Sequence, residues 1–76
     1  MTVKVYSTST CPYCTMAKNY LREKAISFTD IDVSNDREKA KEMFRKSGQM
    51  GVPVIDIDGK IVVGFDKKRI DSLIGG

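Results

Sequence analysis

Seventy-six residues allow one small domain and leave no room for a second. A composition of 41% hydrophobic and 30% charged residues is that of an ordinary globular protein, and no stretch reaches the ~20 apolar residues of a transmembrane helix. The net charge of +3 suits a small anion or an acidic protein and is too weak to argue for nucleic acid.

In chain order, Val3-Lys4-Val5-Tyr6 alternates and predicts a short strand. Ser7 to Thr10 is a polar loop that delivers Cys11. From Pro12 to about Ala25, the stripe Met16, Ala17, Tyr20 and Leu21 predicts an amphipathic helix. Tyr13 lies between the two cysteines and is expected to face solvent. Ile26 to Val33 predicts a second strand, with Phe28, Ile31 and Val33 as its apolar members. Asn35, with Glu38 three residues on, marks a helix start with a partial capping box. Ala40, Met43 and Phe44 form that helix's stripe, and Gly48 fits its C-terminal cap. Gln49-Met50-Gly51 leads into a third strand, Val52 to Ile57, where Pro53 is tolerated near the strand start. Asp58-Gly59 is a strong hairpin turn, and Lys60 to Val63 returns as a fourth strand. After Gly64-Phe65, Asp66 caps a last helix with the stripe Ile70, Leu73 and Ile74.

The order β-α-β-α-β-β-α is that of an α/β domain over residues 1–76. A helical crossover makes the first two strands parallel and right-handed, and the last two form a hairpin. Helices can then cover both faces of a four-stranded mixed sheet. Residues 1–20 lack the continuous apolar segment of a signal peptide, so the expected compartment is the reducing cytosol. There a cysteine pair is more often catalytic or metal-binding than structural.

The chemistry concentrates in Thr10-Cys11-Pro12-Tyr13-Cys14, which holds both cysteines. Pro12 fits the first turn of a helix, where a missing N–H costs nothing. Residues three apart on a helix share a face, and that separation roughly matches the ~4.4–6.8 Å Cα distance of a disulfide. Cys11 then stands where unpaired N–H groups and the macrodipole favour an anion, so its thiolate, the nucleophilic form, is more populated than in a free peptide. Cys14 lies one turn inside with its sulfur in reach. Competing readings are weaker. A zinc site needs about four ligands; with no His and two Cys, it would require a dimer or added carboxylates. A structural staple closing so short a loop constrains the unfolded chain little. Two unrelated buried cysteines would share this spacing only by coincidence.

Across nearly its full length the chain resembles the glutaredoxins. The match rests on the opening strand, Cys11-Pro12-Tyr13-Cys14, the Val52-Pro53 pair and the Gly64-Phe65-Asp66 turn. The resemblance implies a thioredoxin-like fold with sheet order 2-1-3-4. It also implies a cis bond before Pro53 that sets the Val52 backbone opposite Cys11. The implied activity is thiol–disulfide exchange on protein disulfides and glutathionylated proteins, with Cys11 attacking and Cys14 resolving. Glutathione would serve as co-substrate with no bound cofactor, held by Tyr13, Gln49, Val52, Pro53, Phe65 and Asp66, and the chain would act as a monomer. Two positions depart from the family: Thr8 stands where a Lys is common, and Lys67 follows Asp66 where an acidic or hydroxyl residue is usual. With Gly64-Phe65, these resemble the redoxins that a thioredoxin-reductase-type flavoprotein recharges and that donate electrons to ribonucleotide reductase. A third reading is an iron–sulfur cluster carrier, in which Cys11 and external glutathione from two chains supply about four ligands.

Overall fold

Strand β1 (Val3–Ser7) is the element the others pack around in the computed structural model, which describes residues 1–75. It lies inside a four-stranded sheet of order β2-β1-β3-β4, as expected. It runs parallel to β2 (Thr29–Asp32) and antiparallel to β3 (Val54–Ile57), which turns back into β4 (Lys60–Val63). Helix α1 (Pro12–Glu23) crosses between β1 and β2, α2 (Arg37–Ser47) between β2 and β3, and α3 (Lys67–Ile74) closes the chain.

Successive strand residues face opposite sides of the sheet, so each strand feeds two cores. Val3 and Val5 join Ile55, Ile57 and Val62 in one layer with Ala17 and Leu21 of α1 and Ile70 of α3. Tyr6 and Val54 point the other way, onto Met43 of α2. The second face also holds a polar network. Tyr6 donates its hydroxyl proton to Glu42, and Lys46 Nζ donates to Tyr6 Oη at 2.8 Å and to Asp56 Oδ2 at 2.6 Å. Burial pushes the Asp56 carboxyl up, but hydrogen bonds from Lys46 and the Gly59 amide outweigh it and hold the carboxyl below its ordinary range.

Several expected boundaries move. Helix α1 ends at Glu23, because Ala25 adopts a left-handed conformation (φ 58°) and the Ile26 amide turns back to the Leu21 carbonyl at 2.9 Å. Ile26 and Phe28 therefore pack on the core from a loop, and β2 begins only at Thr29. The cap of α2 is Asp36, not Asn35: Asp36 Oδ1 accepts from the Lys39 amide at 3.1 Å. Asn35 is drawn into the preceding turn, where its side chain donates to Asp32 Oδ2. Glu38 is then one position short of a capping box. Strand β3 starts at Val54, so Val52 and Pro53 form its approach. Phe44 and Met16, expected in buried stripes, are 48% and 47% exposed, since one helical step carries each past the core-facing edge. The hairpin is as expected, with Asp58 and Gly59 both at positive φ (52° and 89°), the conformation a two-residue turn of this type requires.

Candidate active site

Cys11 is the N-cap of α1. Its backbone is extended (φ −96°, ψ 111°), and its sulfur accepts a hydrogen bond from the Cys14 amide at 3.2 Å. A cysteine thus occupies the role that Ser, Thr or Asp usually fills. Pro12 takes the first helical position, as its fixed φ favours. No acidic residue lies in the first turn to compete for the positive helix end. Cys11 is half-buried and reachable, and both thiols are free.

Cys14 sits one turn inside and is fully buried. Burial pushes its thiol up to about 11, and the hydrogen bond with Cys11 adds to this; the Thr8 backbone and the Lys18 ammonium act in the opposite sense. The two sulfurs are therefore unlike in access. One is positioned to attack, the other is stored neutral beside it.

Across from α1, the approach to β3 supplies the far wall. The Val52–Pro53 bond is cis. The Cys11 thiol donates to the Val52 carbonyl with Sγ···O of 3.9 Å, so the Val52 backbone lies opposite Cys11 as the resemblance implies. Pro53 is buried, and its carbonyl accepts from the Gly64 amide at 2.8 Å. That bond ties the Pro53 loop to the turn ahead of α3. Phe65 then packs edge-on against Tyr20 of α1, with centroids 5.7 Å apart. Asp66 is exposed and caps α3 by accepting from the Arg69 amide at 3.2 Å. The ammonium of Lys67 lies over the Tyr20 and Phe65 rings, at 5.4 and 5.7 Å.

Thus Cys11, Cys14, Val52 and Pro53 come together directly. Tyr13 is 62% exposed beside them. Gln49 behaves differently. Its amide folds onto its own loop, bonding both backbone groups of Gly51 and donating to Ser47 Oγ, so it braces the approach to Val52. Sequence reasoning misses a polar cluster behind Cys14 made by Lys18, Asp30 and Ser7, the last of which ends β1 and does not begin the loop. Lys18 Nζ bonds Asp30 Oδ2 at 3.0 Å and Ser7 Oγ at 3.4 Å, and Ser7 Oγ donates to Asp30 Oδ1 at 2.9 Å. The available signal was spacing: Lys18 follows Cys14 by four residues, one helical turn. Among the described residues, no group of three or more His, Cys, Asp or Glu could hold a metal ion.

A family model described as Glutaredoxin matches residues 3–62. The glutaredoxin-like 8.6 kDa protein of the rubredoxin operon of Clostridium pasteurianum is 53% identical over 72 residues, covering 95% of this chain and 96% of its own. Glutaredoxin 3 of Escherichia coli K12 is 39% identical over 64 residues, covering 84% and 77%. Among solved structures, the NrdH-redoxin of Escherichia coli, described as glutaredoxin-like with a thioredoxin-like activity profile, superposes with a TM-score of 0.86. It is 25% identical, with 96% of this chain and 95% of that one covered.

Proposed function

The chain belongs to the glutaredoxin family, a family of thiol–disulfide oxidoreductases with a thioredoxin-like fold, and we propose that it uses glutathione to reduce glutathionylated proteins and protein disulfides. One observation carries the reading: the reachable Cys11 sulfur faces the Cys14 amide at 3.2 Å and the Val52 carbonyl at 3.9 Å. The amide supports charge on the attacking sulfur. The Val52 backbone offers a short edge against which the cysteine of a bound glutathione can pair. Cys11 as thiolate attacks the sulfur of a glutathionylated substrate, and the substrate leaves as a thiolate. A second glutathione thiolate then attacks the glutathione sulfur on Cys11 and frees the enzyme as glutathione disulfide forms. With a protein disulfide, the Cys11 thiolate attacks one sulfur, the other leaves as the first substrate thiolate, and a mixed disulfide remains. Cys14 then loses its proton and attacks the Cys11 sulfur, which expels the second substrate thiolate. In this reading glutathione is co-substrate, no resident cofactor is needed, and a reducing compartment such as the cytosol suits the cycle.

Specific features favour a second reading, a redoxin recharged by a thioredoxin-reductase-type flavoprotein. They are Thr8, Lys67 after Asp66, and the folded-back Gln49 amide, together with the resemblance to a redoxin of thioredoxin-like activity profile. Parallel turnover assays decide, one with glutathione and glutathione reductase, one with a thioredoxin-reductase-type flavoprotein. Turnover only in the first supports glutathione dependence. Turnover only in the second replaces it.

A further inference from the structure

The outer face of α2 carries a groove of about 470 Å³ that the chemistry above does not use. Arg37, Ala40, Lys41, Phe44, Arg45 and Met50 line it. Its floor is apolar, with Phe44 48% and Met50 61% exposed. Its rim is cationic, because Arg37, Lys41 and Arg45 recur every fourth residue and so line up along one side of the helix. Lys41 reaches the exposed Glu38 at 3.7 Å, whereas Arg37 and Arg45 make no ion pair among the described residues. The groove also joins the reactive site through the backbone: Met50 lies two residues before Val52, whose carbonyl is 3.9 Å from Cys11 Sγ.

We propose that this groove docks protein substrates, taking a segment near the substrate's reactive cysteine that is acidic and carries a large apolar anchor. The proposal deepens the oxidoreductase reading and rests on it. Charge complementarity supplies the acidic requirement, since Arg37 and Arg45 are unpaired among the described residues, attract carboxylates and repel a basic segment. The exposed Phe44 and Met50 supply the apolar requirement, because a soft Met beside an aromatic ring accommodates side chains of differing shape. A polypeptide fits better than an anionic membrane surface. The exposed apolar area is two side chains, Phe44 and Met50, where a membrane-bound helix buries a continuous apolar face in the acyl boundary.

The test uses the full chain and two fluorescent twelve-residue peptides without cysteine. One is rich in Asp and Glu with a central Phe-Leu pair; the other has every Asp and Glu replaced by Asn and Gln. Anisotropy titrations at low salt should show the acidic peptide binding at least tenfold more tightly. The preference should shrink in moderate salt and vanish in the double variant Arg37→Glu/Arg45→Glu. Phe44→Ser should weaken the acidic peptide severalfold. Glutathionylated cysteine versions of both peptides should repeat the order in kcat/KM, while turnover of a small glutathionylated thiol stays unchanged in all three proteins. Equal affinity for the two peptides would overturn the proposal. So would an acidic preference that survives the double variant, or binding to anionic phospholipid vesicles by a protein that binds neither peptide. Failure to turn over even the small thiol would remove the redox reading, and the anisotropy titrations would still decide the groove.

Discussion

The burial of Cys14 has a thermodynamic consequence that can be measured without substrate. Its thiol is raised from 9.0 to about 11, first by burial and then by the hydrogen bond with Cys11. A raised pKa means the folded state holds the proton more tightly than the unfolded chain. The stabilisation is complete below pH 9 and is lost as pH rises toward 11. A rise of about two pH units corresponds to roughly 3 kcal/mol, about half of it lost by pH 10. Tyr6, Tyr20 and Lys46 are also raised and lose stability in the same direction, so wild-type protein alone would not isolate the effect. The comparison is between Cys11→Ser and Cys11→Ser/Cys14→Ala, each unfolded in urea from pH 7.5 to 10.5. Removing the Cys14 sulfur adds a pH-independent packing loss. On top of that offset, the stability gap between the two should narrow by at least ~1 kcal/mol over the range, because the Cys11 contribution to the shift is absent in both. A gap that stays constant with pH would refute the reasoning, as would alkylation of Cys14 at a free-thiol rate at pH 8.

Cys14→Ser should keep deglutathionylation and lose most protein-disulfide reduction, whereas Cys11→Ser should lose both; equal losses in the two variants would contradict the assigned roles. Lys46→Met should lower stability by ~1–3 kcal/mol, between the values for exposed and buried pairs, because Asp56 keeps only the Gly59 amide; a urea midpoint within error of wild type would remove that network from the stability argument. Lys67→Asp should lower the apparent KM for glutathione severalfold at low salt and less at moderate salt, by removing a cation beside Asp66; an unchanged KM at both would leave Lys67 as ring-stacked surface charge.

Local signals made much of this molecule legible. The alternation of Val3 to Tyr6, the Asp58-Gly59 turn and the stripes of α1 and α3 are short-range patterns, and each survives in the structure apart from the exposed Met16 of α1. The Cys11–Cys14 pair was legible for the same reason, because its geometry is set within one helical turn. What was not legible depends on distant partners. Tyr6 meets Glu42 and Lys46 from 36 and 40 residues away, and no local pattern announces that. The cap of α2 hinged on whether Asp32 would claim Asn35, a competition between neighbouring turns that residue preference alone does not decide. Helical spacing with Ala40 and Met43 predicts Phe44 as part of a buried stripe. It lies one helical step past Met43, the α2 residue that faces the sheet, and that rotation depends on how the helix packs.

The sulfur that caps α1 links helix order to electron affinity. The Cys14 amide has its best acceptor when Cys11 is a reduced thiolate, and a sulfur shared in a disulfide accepts less well. What the cap contributes to the helix therefore counts mostly toward the reduced form. A cap is worth ~1 kcal/mol, and for a two-electron couple about 30 mV corresponds to about 1.4 kcal/mol. The first turn of α1 should thus raise the reduction potential of the pair by up to roughly 20 mV. Loosening that turn, even by changes that never touch a sulfur, should make the pair easier to oxidise and a stronger reductant.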